Sequence, residues 1–147
     1  MTRVLVINGP NMNLLGTREP EIYGDTTLAE VEARLRTQAA DLGLEIDFFQ
    51  SNHEGALIDR LHLRNFDWAI VNAAGLTHTS VSLRDALKGI GRPFVEVHIS
   101  DPGEREPFRH VNYLHDIAAE RVVGKGVAGY TIALDYVARR AGSGSAP

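Results

Sequence analysis

The chain has no cysteine. That excludes disulfides, thiolate nucleophiles and sulfur-ligated zinc together, so any chemistry has to run on oxygen and nitrogen groups. Lysine is scarce too. Lys88 lies inside a helical pattern and Lys125 in a glycine run, and neither is placed like an activated amine in an apolar pocket. Positive charge is not in excess: 15 Lys and Arg stand against 19 Asp and Glu, a formal net charge of -4, which removes the electrostatic footprint of a nucleic-acid binder. No window approaches the roughly 18 apolar residues of a membrane span, and the apolar run in MTRVLVING is far too short for a signal-peptide core. The expected compartment is the cytoplasm and the expected partner a small molecule. A chain of 147 residues has room for one domain with a sizeable core, expected over 1–141, before the tail composition GSGSAP at 142–147.

What is present is an alternation of strand and helix patterns. Val4 to Ile7, Ala69 to Val71 and Phe94 to Ile99 are apolar, β-branched runs that read as buried strands, with LEIDFF (44–49) and RVVG (121–124) as weaker members of the set. Leu28, Val31, Leu35 and Leu42 share one helical face, Thr27 and Glu30 have capping-box spacing, and Gly43 can supply a left-handed stop. Further helices fit 54–63, 79–90 and 127–140. Repeated β-α units imply an α/β fold with right-handed crossovers. Five strands in this length suit a flavodoxin-like, doubly wound, five-stranded parallel sheet with helices on both faces. Ligands of such sheets sit outside the carboxyl ends of the strands.

That rule selects residues. The first strand runs into Asn8-Gly9-Pro10-Asn11, the third into NAAGLTHTS (72–80) and the fourth into HISDPGEREPFR (98–109). Asn11, Asn72, Thr77, His78, His98, Ser100, Arg105 and Arg109 therefore converge at one edge, a set of neutral donors, bases and guanidiniums suited to a polyhydroxylated anion. Each also has a plainer reading. The asparagines fit turns, Thr77 and Thr79 fit a helix cap, His98 fits a hydrogen-bonded core histidine, and the arginines fit solvated surface charge. The stretch NGPNMNLLGTREPEIYG (8–24) is unusually long for a connection. It holds one candidate base, Tyr23, with Arg18 five residues earlier. A phenol works as a base near neutral pH only if its anion is stabilised, and an arginine can do that without yielding a proton.

Two further patterns lead nowhere. GKGVAG (124–129) matches G-x-G-x-x-G, but too little chain follows for the second strand and its acidic ribose ligand. The six histidines form no metal-ligand spacing, and no metal site is expected.

NGPNMNLLGTREPEIYG, NAAGLTHTSVSLRDAL and EVHISDPGEREPFR together resemble type II 3-dehydroquinate dehydratase over nearly the whole chain short of the tail. The resemblance implies a cofactor-free hydro-lyase that converts 3-dehydroquinate to 3-dehydroshikimate by anti elimination through an enolate, assembled as a dodecamer, a tetramer of trimers. It implies Tyr23 as general base, Arg18 as the lid residue that lowers the tyrosine pKa, Asn11 as enolate stabiliser through a water, and His98 as general acid held by Glu96. It implies Asn72 with the backbone at Ile99 and Ser100 for the substrate carboxylate, and His78 and Arg109 for the ring hydroxyls. Asp85 corresponds to a residue that reaches into a neighbouring subunit's site, and Arg105 to a second arginine of the lid region, spanning about 16–24. Met12 stands where leucine is usual, Asp101-Pro102-Gly103 replaces Asn-Ile-His, and NYLHD (112–116) replaces Ser-Tyr-Leu-Ser-Pro. The sister enzyme class uses a Schiff-base lysine, for which the two lysines here are unsuited. From a different class, a flavodoxin-like module that binds a nucleotide or sugar acid without chemistry also fits the fold.

Overall fold

Alternation of side chains on β1 (Arg3–Asn8) decides the layers. Val4 and Val6 join one apolar cluster, Leu5 and Ile7 the other, and all four are at most 3% exposed, as a strand covered on both faces requires. The computed structural model describes residues 1–142. Next in order come α1 (Pro20–Tyr23), α2 (Leu28–Leu42), β2 (Glu45–Gln50), α3 (Glu54–His62), β3 (Trp68–Asn72), α4 (Val81–Ile90), β4 (Phe94–His98), β5 (Glu120–Val123) and α5 (Ala128–Gly142). The sheet is parallel, as the alternation implies, with strand order β2-β1-β3-β4-β5, which is the flavodoxin-like order. Val31, Leu35 and Ala39 of α2 and Tyr130, Ala133, Leu134 and Val137 of α5 pack on one face with Trp68 and Ile70. Leu57 and Leu61 of α3 with Leu83, Ala86, Leu87 and Ile90 of α4 cover the other. Each of the large side chains so buried stabilises the fold by roughly 1.5–3 kcal/mol relative to exposure.

The first long helix starts and stops as its spacing predicts. Thr27 and Glu30 form the reciprocal capping box, and Gly43 ends α2 at φ 71°. Three boundaries differ from expectation. The helix placed at 79–90 begins at Val81, because the Ser80 hydroxyl caps it by accepting the Leu83 N–H at 2.9 Å, while residues 74–78 form a 3-10 turn. Neither Thr77 nor Thr79 is the cap. Residues 8–24, which lack any period, still contain a 3-10 turn at Met12–Leu14 and one helical turn at Pro20–Tyr23, short enough to escape periodicity. Gly142 belongs to the end of α5, and the rest of the tail lies outside the described residues.

The switch point lies between β1 and β3, whose crossovers leave in opposite directions. Their ends are held together by the Gly9 N–H, which donates to the Asn72 carbonyl at 2.8 Å. Glycine is required there, since a Cβ on Gly9 would stand 2.5 Å from the Ala73 carbonyl oxygen. Among the described residues no helix is long and apolar enough to cross a membrane.

Candidate active site

Asn11 leaves β1 in a left-handed turn at φ 71°, a conformation asparagine tolerates better than most residues. The turn is clamped from β2. The Asn11 N–H donates to Asn52 Oδ1 at 2.9 Å, and Gln50 Nε2 donates to the Gly9 carbonyl and to Asn52 Oδ1, each at 3.2 Å. A cleft of about 220 Å³ opens beside it, and Asn11, Arg18, Tyr23, Asn72, His78, His98, Ile99, Ser100, Arg105 and Arg109 all line its wall. Ten of the twelve residues singled out from sequence thus meet in one place. Of the other two, Glu96 is buried behind His98, and Asp85 is exposed on α4, outside this cleft. Thr77, also drawn to this edge by the strand-end rule, is fully buried and does not line it.

Tyr23 closes the single turn of α1, which Pro20 starts and Gly24, at φ 80°, ends. Its oxygen accepts a hydrogen bond from Arg105 Nη1 at 2.7 Å, and Arg105 also donates to Ser100 Oγ at 3.3 Å. Arg18 lies over the ring, 4.7 Å from the centroid, and pairs with Glu19 at 3.4 Å. Spacing along the chain pointed to Arg18 as the cation on the phenol. The cation on the oxygen is Arg105, 82 residues distant, and Arg18 contributes from the ring face. Arg105 is brought in by the turn that Asp101-Pro102-Gly103 forms: Asp101 Oδ1 accepts the Gly103 N–H at 2.9 Å, and the Arg105 N–H donates to the Pro102 carbonyl at 3.2 Å. The unusual DPG sequence therefore builds its own cap.

His98 ends β4, 5% exposed, with its Nε2 on Glu96 Oε2. Burial alone would push the Glu96 carboxyl up. The bond and charge of His98, then Asn112 and Arg121, outweigh it and hold the group below the usual carboxylate range. Beyond His98, the glycine run that mimics a dinucleotide motif is a turn. Gly124 and Gly126 donate their N–H groups to the His98 and Ile99 carbonyls at 3.1 and 3.0 Å.

Asn72 is oriented by a buried chain. Tyr130 Oη donates to Asn8 Oδ1 at 2.5 Å and accepts from Asn72 Nδ2 at 3.0 Å, while Asn72 Oδ1 accepts the Ala74 N–H at 3.1 Å. Burial pushes the Tyr130 phenol up, so it remains a neutral donor. With its oxygen engaged, Asn72 has N–H left for a ligand, which suits a carboxylate. His78 Nδ1 lies 2.6 Å from the Val111 carbonyl, an acceptor only, so Nδ1 carries the proton and Nε2 is an acceptor. Burial, aided by the charges of His98 and Arg109, lowers the His78 pKa and favours the neutral ring. Arg109 donates from Nε to Glu106 Oε1 at 2.7 Å, which holds Glu106 below the usual carboxylate range.

Sequence reasoning missed Asn52, Asn112, Arg121 and Tyr130. Asn112 stood in the altered NYLHD block, the one signal available, and Arg121 could be found only from strand register.

Residues 2–138 match the family model described as Dehydroquinase class II. "Catabolic 3-dehydroquinase 1" of Aspergillus fumigatus is 56% identical over 137 residues, covering 92% of this chain and 91% of the relative. "3-dehydroquinate dehydratase 1" of Ralstonia nicotianae is 53% identical over 144 residues, 96% of this chain and 92% of the relative. Among solved structures, the type II dehydroquinase from Propionibacterium acnes superposes with a TM-score of 0.90 at 35% identity, covering 95% of this chain and 97% of that one.

Proposed function

The chain belongs to the class II dehydroquinase family and is a hydro-lyase, and we propose that it dehydrates 3-dehydroquinate to 3-dehydroshikimate, a reaction of the shikimate pathway, with Tyr23 as base and His98 as acid. The observation that carries this reading is the pair of guanidiniums around one phenol: Arg105 Nη1 is 2.7 Å from the Tyr23 oxygen and Arg18 lies over the ring at 4.7 Å. Both set positive charge beside the oxygen proposed to act as base, and a guanidinium can do so without giving up a proton of its own.

The phenolate takes the proton from the carbon alpha to the substrate ketone. Charge moves onto the ketone oxygen, where Asn11 and a water stabilise the enolate. The enolate collapses, the bond to the beta hydroxyl breaks, and His98 supplies the proton that lets it leave as water, giving the conjugated enone. His98 then regains a proton and Tyr23 releases one, so the cycle closes without a cofactor. Asn72 with the backbone at Ile99 and Ser100 binds the carboxylate. His78, an acceptor at Nε2, and Arg109, a donor, hold the ring hydroxyls. The substrate is an anion with several hydroxyls, which the cleft's donors and two lid arginines suit.

The 16–24 segment closes over this cleft as a lid and excludes water. Asp85, exposed on α4 away from its own cleft, serves a neighbouring copy in a dodecamer built as a tetramer of trimers, acting in the cytoplasm.

Assaying the purified chain with 3-dehydroquinate for enone absorbance tests the activity. A folded dodecamer that does not turn it over, and that FMN stabilises against heat, would favour a binding module instead. The two arginines are separable. Arg105→Leu is expected to lower kcat about 100-fold, because it removes a charge-assisted bond from the atom that must hold negative charge. Arg18→Leu is expected to lower it only about tenfold, because a cation over a ring face contributes less. Equal losses, or a larger one for Arg18, would reverse the assignment.

A further inference from the structure

The charge opposite His98 is fixed from three sides, and only one of them belongs to the acid itself. Glu96 and Arg121 are direct partners in the parallel ladder between β4 and β5. The Glu96 side chain is 1% exposed while that of Arg121 is 44% exposed, so the guanidinium reaches in from the sheet edge and donates from Nε to Glu96 Oε1 at 2.9 Å. Asn112 Nδ2 donates to Glu96 Oε2 at 2.6 Å, the oxygen that also meets His98 Nε2. Asn112 is itself immobilised, because its Oδ1 accepts the N–H groups of Leu114 at 2.7 Å and His115 at 3.0 Å. An amide can cap that turn and donate to the carboxylate at once, which gives the altered NYLHD block a physical purpose.

We propose that Arg121 and Asn112 are positioning residues for the acid: they lock Glu96 as a carboxylate with both oxygens engaged, and through it fix the ring orientation and tautomer of His98. This rests on His98 as the acid of the proposed reaction.

The chemistry follows from donor counting. A carboxylate with Arg121 on one oxygen and Asn112 on the other cannot rotate, or take up a proton, without losing a charge-assisted bond. The proton shared between Glu96 and His98 therefore stays on His98 Nε2, and Nδ1 is the nitrogen left to exchange protons with a ligand in the cleft. Arg121 also offsets part of the carboxylate charge that His98 feels. His78, from the turn after β3, is also in electrostatic reach of the pair, and Arg109 acts on His78.

The test is the pH profile of Arg121→Leu, Arg121→Lys and Asn112→Asp, all assayed with 3-dehydroquinate. The Asp variant keeps the oxygen that caps the turn but cannot donate to Glu96. In Arg121→Leu, kcat is expected to fall about fivefold with KM near that of the parent, and the alkaline limb of the profile to move up, modestly because Arg121 is partly solvated. Arg121→Lys restores most of both. Asn112→Asp lowers kcat without changing KM. An Arg121→Leu enzyme with the parent's kcat and alkaline limb would overturn the proposal, as would a lowered melting temperature with an unmoved profile, which is what mere stitching of β5 to β4 predicts. Should the parent itself show no turnover, the dehydratase reading fails separately. Crystal structures of the Arg121→Leu and Asn112→Asp proteins then decide: Glu96 turned away from His98 upholds the clamp, and an unmoved pair overturns it.

Discussion

Tyr23→Phe should leave a folded, substrate-binding protein whose kcat is down by at least about 1,000-fold. The size follows from the chemistry: a positioned general base contributes about 100- to 10,000-fold. The fold should survive, since Tyr23 is only partly buried and the change deletes one oxygen. Binding should survive because the groups proposed to hold the carboxylate and hydroxyls, Asn72, His78 and Arg109, come from other elements. Steady-state kinetics together with calorimetric titration of a non-reacting quinate-like acid separates the two effects. Retained turnover would remove Tyr23 from the base role.

His98→Asn is the second large effect, with kcat lowered by about 1,000-fold. Two consequences distinguish it from Tyr23→Phe. The proposed base remains, so the enolate should still form and only expulsion of the hydroxyl should be lost. The variant also leaves Glu96, almost wholly buried, without the largest of the contacts that hold it ionised. A buried carboxylate that loses its best partner is destabilising. Differential scanning should therefore show a lower melting temperature for His98→Asn than for the parent, alongside the kinetic loss. If the enzyme keeps its rate, the acid is another group.

Most of the fold was legible because its signals are local. Capping at Thr27 and Glu30, the stop at Gly43 and the apolar runs of β1, β3 and β4 depend on neighbours in sequence, and the parallel order follows once strands and helices alternate. The strand-end rule brought seven of its eight residues to one cleft, all but buried Thr77, since it needs only the positions where β1, β3 and β4 stop; Arg18 and Tyr23 came from the length and content of the first loop. What escaped was set by register and by distant turns. Arg105 meets Tyr23 across 82 residues, Arg121 meets Glu96 because β5 pairs with β4 in one register, and Tyr130 joins Asn8 to Asn72 from a helix whose own pattern marks it only as core. No periodicity carries these meetings. The short turns Met12–Leu14 and Pro20–Tyr23 were hidden for a related reason, being too brief to show a repeat.

In the proposed reaction Tyr23 removes a proton and His98 expels a hydroxyl in separate steps. Incubating 3-dehydroquinate in deuterated buffer with His98→Asn, and with the double variant Tyr23→Phe/His98→Asn, tests both halves at once by NMR. The single variant should exchange the proton alpha to the ketone for deuterium faster than buffer alone while making almost no enone. In the double variant that exchange should fall to the buffer rate, whereas exchange undiminished without Tyr23 would contradict the account.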